Sequence, residues 1–199
     1  MHRILALCAV LASAAPALAA TGPFTVLEQD NPGRNVILVT GEADSCADVP
    51  AAAQAALAAQ SGRAIGVVAT DAACGAAASI MDSAPDLAFA DSAQTLGAEP
   101  NEFLAQNRSR GIYVWSLDAY RRLDLSQRQV LGVFADESPA AMIEAALHAL
   151  SQDDDGYFLL VQASQLDEAA RAALEGAQRN GASIIGPDLI HLTGASFSQ

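Results

Sequence analysis

Gln162 and Asp167 are the side chains whose position along the chain most favours chemistry. They fall at the end of, and just beyond, the apolar run 157–161, whose aromatic and branched residues are typical of a strand covered on both faces. Open α/β sheets bind ligands at the carboxyl ends of their strands, so both residues are candidate ligand-binding groups. The alternative is structural: Gln162 is a polar strand end, and Asp167 caps the helix Glu168–Arg179.

The elements that must position these residues alternate between strands and helices. Apolar runs predict strands at 35–40, 64–70, 87–90, 112–115, 130–134, 157–161 and 183–185. Helical patterns lie at 47–60, 71–82, 101–110, 117–123, 139–151 and 165–179. This alternation predicts an α/β fold of three layers, with a mostly parallel central sheet and helices on both faces.

A targeting segment is predicted to precede a single domain. Residues 1–19 form a predicted export signal, with a basic start at Arg3, an apolar run too short to span a bilayer, and a small-residue cleavage motif at 17–19. The segment 20–33 contains two prolines and two glycines and is predicted to be an irregular leader, which leaves 34–199 as the domain. We therefore expect an exported protein, periplasmic or secreted, without membrane insertion.

Charge and cysteine content narrow the possible partners and crosslinks. A net charge of −13 argues against binding to nucleic acid or to an anionic membrane through a positive field. Cys8 lies in the export signal, so the mature chain retains Cys46 and Cys74. An even pair in an oxidising compartment is a candidate disulfide, and two free thiols are the alternative.

Several segments match, in one order along the chain, the motifs of a known enzyme family. Gly-Tyr-Phe-Leu-Leu-Val-Gln at 156–162 is similar to a Gly-Phe-Phe-Leu-x-Val-Glu-Gly strand, and Asn-Val-Ile-Leu-Val-Thr-Gly-Glu at 35–42 is similar to Asn-Val-Ile-Leu-x-x-Gly-Asp-Gly. The segment 70–78 is similar to a nucleophile helix, Asp-Ser-Ala-x-x-Ala-Thr-Ala. Over roughly residues 34–190 the chain thus resembles the alkaline phosphatase family, which implies an alkaline-phosphatase-like core.

The resemblance implies a degenerate metal site. The carboxylates that it places at metal-binding positions are Glu42, Asp167 and Asp188. Other ligand positions are altered: Gln162 replaces a Glu, and Arg171 and Leu189 each replace a His. Carboxylates without histidines suit Mg²⁺ or Ca²⁺ better than Zn²⁺, so we expect no cofactor or a weakly bound divalent cation. Arg171 is expected to pair with at least one of the three carboxylates.

The resemblance also implies that the family's reaction is lost. Ala72 stands where the family has its nucleophilic Ser, beside the matching Asp71, and an alanine has no oxygen to form a phosphoseryl intermediate. We expect a catalytically inactive relative that acts as a binding or interaction domain, with a small anion or a protein as partner. The alternative is a minimal metal-dependent phosphomonoesterase.

The resemblance further implies a position for the candidate disulfide. In the family, the first metal-binding carboxylate and the nucleophile are close neighbours because both bind one metal ion. Cys46 follows Glu42 by four residues and Cys74 follows Ala72 by two, so the two thiols are placed across the vestigial site. A bond between them would hold together two loops that a metal ion otherwise connects.

Overall fold

The computed structural model describes residues 25–26, 35–40, 62–70, 75–97, 111–123, 129–163 and 166–186. Within these ranges the strands are β1 (Thr25–Val26), β2 (Asn35–Thr40), β3 (Ala64–Ala69), β4 (Leu87–Ala90), β5 (Gly111–Val114), β6 (Gln129–Val133), β7 (Tyr157–Gln162) and β8 (Ala182–Gly186). The helices are α1 (Ala76–Met81), α2 (Leu117–Tyr120), α3 (Pro139–Leu150) and α4 (Glu168–Arg179), with a 3-10 turn at Gln94–Leu96.

The described strands form one sheet in the order β1-β8-β2-β7-β3-β4-β6-β5. The seven strands from β2 to β8 are parallel, and β1 pairs with β8 in the antiparallel direction. The predicted α/β fold with a mostly parallel sheet is confirmed, and each of the seven predicted strands agrees with the structure to within one residue at either end. Strand β1 was not predicted, because a two-residue strand carries no periodic pattern.

Two apolar clusters lie on opposite faces of the sheet, because successive side chains of a strand point to opposite sides. On one face Ile37 and Leu159 share a cluster with residues of α2, α3 and α4. On the other face Leu38 and Leu160 share a cluster with Ala76, Ala77 and Ile80 of α1. Helices therefore cover both faces, which gives the predicted three layers.

For the crossovers whose helices the structure describes, the direction along the sheet agrees with the face on which the helix lies. The step from β3 to β4 moves one way along the sheet and carries α1 on one face. The steps from β6 to β7 and from β7 to β8 move the opposite way and carry α3 and α4 on the other face. A single crossover hand requires this relation between direction and face.

Helix α3 shows how the local sequence fixes an element. Ser138 caps it, since its side-chain Oγ accepts the N–H of Ala141 at 3.2 Å, and Pro139 occupies the first turn, where no N–H is needed. The far end packs closely on the sheet, because a Cβ at Gly66 would lie 2.5 Å from Cδ1 of Leu150. The missing side chain at position 66 therefore lets α3 approach β3.

Some predicted segments fall outside the described residues. These are the export signal 1–19 and the helices at 47–60 and 101–110. The helix predicted at 71–82 is described from residue 75, and α1 begins at Ala76 after Gly75, which has a φ of 61°. Across the described ranges, no helix has the length and apolar character required to cross a bilayer.

Candidate functional site

The carboxyl ends of β2, β7 and β3 lie side by side and form the candidate site. Thr40 and Gln162 are register partners, and so are Gln162 and Ala69. After β3 the chain passes to α1 on one face of the sheet, whereas after β7 it passes to α4 on the other. Adjacent strands whose connections leave to opposite faces open a crevice, which is where open α/β sheets bind ligands.

Gln162 occupies the centre of this edge and is 1% exposed. It lies on the same face as Leu160, towards α1, and its Oε1 accepts the N–H of Ala77 at 2.9 Å. Because an N–H donates here, the amide group of Gln162 must present its oxygen. Gly75 gives α1 no side-chain cap, so Gln162 satisfies an amide of the first helical turn from across the fold.

Thr40 lies beside Gln162 on the same face and is also 1% exposed. Its main-chain oxygen accepts the N–H of Ala163 at 2.9 Å. Its Oγ1 is buried and has no hydrogen-bond partner among the described residues. A buried hydroxyl without a partner destabilises the fold by about 1–3 kcal/mol. Thr40 therefore brings an unsatisfied hydroxyl to this edge, and no pattern in the sequence marks it.

Asp167 caps helix α4, as the structural interpretation predicted. Its backbone is extended, and its Oδ1 accepts the N–H of Ala170 at 2.7 Å. The side chain is exposed rather than turned into the core. One carboxylate oxygen is thus engaged in a helix cap, and the assignment of Asp167 as a metal ligand stays a prediction.

Arg171 is exposed and lies one helical turn after Asp167. Its backbone N–H donates to the main-chain oxygen of Asp167 at 3.0 Å, as expected within α4. Within the described part of the chain, its guanidinium forms no ion pair with Asp167; the salt bridges there join Arg121 to Asp118 and Arg179 to Glu175. The expected pairing is therefore not made with this carboxylate.

The remaining positions of the predicted site lie outside the described residues. These are Glu42, Asp71, Ala72, Asp188 and Leu189, together with Cys46 and Cys74. Among the described residues, no group of three or more Asp, Glu, His or Cys side chains is arranged to hold a metal ion. The remnant metal set and the disulfide thus stay predictions.

A second polar cluster at the same edge was not predicted from the sequence. Asp91 follows β4, and its N–H donates to the main-chain oxygen of Ala69 at 3.2 Å. Its Oδ1 accepts from Oγ1 of Thr95 at 2.5 Å, and that hydroxyl also lies 2.8 Å from Oγ of Ser92. The sequence feature that indicates such a cluster is an Asp directly after a predicted strand, with hydroxyl residues one and four positions later. The cluster holds the 3-10 turn against the edge.

A cavity of about 500 Å³ lies in the helical layer between α2 and α3. Its lining residues are Tyr120, Arg121, Leu123, Glu144, Ala145 and His148. Tyr120 is buried and packs edge-to-face on Phe89, with ring centroids 4.8 Å apart. Burial raises the pKa of the Tyr120 hydroxyl to about 12. That hydroxyl has no hydrogen-bond partner within the ranges that the structure describes.

Comparison with known proteins adds no family assignment. No protein-family model matches the chain, and no curated protein is significantly similar to it. The resemblance to the alkaline phosphatase family therefore rests on the quoted motifs, and the described structure establishes an α/β fold with a parallel sheet.

Proposed function

We propose that this protein is an exported, non-hydrolytic relative of the alkaline phosphatases that acts as a binding or interaction domain. The observation that carries this proposal is the hydrogen bond from the Ala77 N–H to Oε1 of Gln162. By the resemblance, Gln162 stands where the family has a carboxylate ligand. Here the side chain is neutral and buried, and it caps a helix.

Asp167 supports the proposal in the same way. By the resemblance it is a metal ligand, but in this chain its Oδ1 accepts the N–H of Ala170 in the first turn of α4. The oxygen that accepts this short hydrogen bond shares its electron density with the helix, so it is a poorer electron-pair donor than a free carboxylate oxygen. Two positions of the family's metal site thus contribute to the scaffold.

The residue types at the other matched positions also favour a protein that does not hydrolyse phosphate esters. Alanine at position 72 offers no oxygen for covalent catalysis, and the guanidinium of Arg171 stays protonated and cannot donate a lone pair to zinc. The net charge of −13 also repels phosphate esters at long range, which favours a protein partner over a small anion.

Metal analysis and a phosphatase assay on the mature protein test the proposal together. We expect less than one equivalent of bound zinc, and no hydrolysis of p-nitrophenyl phosphate above the buffer rate with Zn²⁺ or Mg²⁺ added. Ala72→Ser is the matched variant, since it restores the family's nucleophile; we expect it to stay inactive because ligands are missing as well.

The competing function, a minimal metal-dependent phosphomonoesterase, predicts the opposite results. Two equivalents of zinc with turnover by the wild-type protein would overturn the proposal. Titration with inorganic phosphate in a calorimeter separates the two kinds of partner. Saturable heat would indicate a small anion, and its absence is expected for a domain that binds a protein.

A further inference from the structure

The cavity between α2 and α3 has an apolar wall. Tyr120 and Ala145 are buried members of the apolar cluster on this face of the sheet, and Leu123 packs against that cluster. The ring of Tyr120 lies edge-to-face on the buried ring of Phe89, so this wall is fixed before any ligand enters. The volume of about 500 Å³ lies within the range of about 300–1,000 Å³ that is usual for small-molecule sites. The cavity can therefore hold a ligand with an apolar portion.

Charges of opposite sign line the same cavity on two different helices. Arg121 follows directly after α2, whereas Glu144 and His148 lie one turn apart on α3. Within the described part of the chain, no salt bridge joins Arg121 to Glu144, and Arg121 pairs with Asp118 at 3.3 Å. Both members of that pair are exposed, so it is weak in water and the guanidinium can exchange Asp118 for a ligand.

Tyr120 adds a hydroxyl without a partner to the wall of the cavity. The residue is 3% exposed, and its hydroxyl accepts and donates no hydrogen bond among the described residues. Because burial raises the pKa of this hydroxyl to about 12, it keeps its proton at neutral pH and can donate it. A hydrogen bond to a carboxylate is stronger than one to a neutral acceptor. The neighbouring residues Tyr120 and Arg121 thus both suit a ligand carboxylate.

We infer that this cavity binds a small zwitterion, namely a free α-amino acid with an apolar side chain. The carboxylate of the ligand lies against Arg121 and the Tyr120 hydroxyl, and its ammonium group faces Glu144. Its side chain packs on Leu123 and Ala145. A ligand with a single charge fits less well, because an anion is repelled by Glu144 and a cation by Arg121. This inference does not depend on the proposed function, because the cavity and the carboxyl-edge site share no residue.

Calorimetric titration of the full chain with leucine tests the inference, with two leucine derivatives as controls. Leucinamide lacks the carboxylate and N-acetyl-leucine lacks the ammonium group, but both keep the apolar side chain. We expect saturable heat with leucine and an affinity at least about tenfold weaker for each derivative, because each leaves one charged group of the cavity without its partner. Glycine keeps both charges but lacks the apolar side chain, so it should also bind more weakly than leucine.

Two variants that each remove one charge assign the ligand's groups to their partners. Arg121→Gln should bind leucine about tenfold more weakly and should no longer distinguish leucine from leucinamide. Glu144→Gln should likewise lose the distinction between leucine and N-acetyl-leucine. Arg122→Gln is the matched control, because Arg122 is the next residue of the chain but does not line the cavity. This control should bind leucine with the wild-type affinity.

The loss of selectivity separates a binding role from a structural one. Arg121 and Glu144 are exposed, so both variants should fold, and a structural disturbance would weaken all the ligands alike. Tyr120→Phe keeps the ring and should bind leucine severalfold more weakly. The inference would be overturned by the absence of saturable heat with leucine, by equal affinities for leucine and its two derivatives, or by unchanged selectivity in Arg121→Gln and Glu144→Gln.

Discussion

Replacing Gln162 by leucine tests the structural role of the candidate site most sharply. The substitution keeps a side chain of similar volume but removes the oxygen that accepts the Ala77 N–H at 2.9 Å. That donor then stays buried without this partner, at a site where Gln162 is 1% exposed. A buried donor that loses its acceptor destabilises the folded state by about 1–3 kcal/mol.

Equilibrium urea denaturation at neutral pH, followed by circular dichroism, measures this loss. A decrease of about 2 kcal/mol corresponds to a midpoint lower by roughly 1 M urea. Gln129→Leu is the matched control, because Gln129 donates a side-chain hydrogen bond to the main-chain oxygen of Ala84 at an exposed position. Water replaces that bond, so the control should lose less than about 1 kcal/mol. Equal losses in the two variants would refute the structural role of Gln162.

Gln162→Glu separates a helix cap from a metal site, because it introduces the carboxylate that the resemblance to the alkaline phosphatases would place there. Burial disfavours the charged form, so its pKa in the folded state should rise above about 4.3, the value in an unfolded chain. The unfolded state then binds fewer protons above that pH, and stability should fall as the pH rises from 4 to 7. If the stability of Gln162→Glu did not depend on pH in this range, this argument would be wrong. If Zn²⁺ or Mg²⁺ restored the stability that the variant loses at pH 7, a metal site would be supported instead.

Three further predictions concern buried or capping groups. Thr40→Val should stabilise the protein by about 1 kcal/mol in urea denaturation, because it removes a buried hydroxyl without a partner, whereas a loss of stability would show that the hydroxyl is satisfied. Asp167→Ala should destabilise the folded protein by about 1 kcal/mol, because it removes the acceptor for the Ala170 N–H. Asp167→Asn should destabilise it by only about a few tenths of a kcal/mol, because asparagine also caps helices. Equal losses in the two variants would contradict the role of Asp167 as a cap. Burial raises the pKa of Tyr120 and of Tyr157 from 10.0 to about 12. As the pH rises, these tyrosines therefore lose their protons in the unfolded state before they do so in the folded state. The free energy of unfolding should fall between pH 10 and 12 by about 1.4 kcal/mol per pH unit for each tyrosine. Denaturation at pH 9 and pH 11 measures this slope, which Tyr120→Phe should reduce; an unchanged slope would contradict the assignment.

The sequence by itself determined the layered fold, because the signals that specify it are local. A run of branched and aromatic residues at 157–161 is typical of a strand in a parallel sheet covered on both faces, and β7 occupies that place. The cap of α4 was equally local: Asp167 and the Ala170 N–H that it accepts are three residues apart.

The tertiary structure alone decided what the polar side chains at the carboxyl edge do. Gln162 and Ala77 are 85 residues apart, and they meet only because β7 lies beside β3, the strand that leads into α1. No local pattern encodes that adjacency, since strand order depends on the packing of the whole sheet. The exposure of Trp115 is likewise a tertiary property, because the local sequence does not say whether a Trp after an apolar strand is covered. It is 69% exposed and follows β5, which ends the row of described strands.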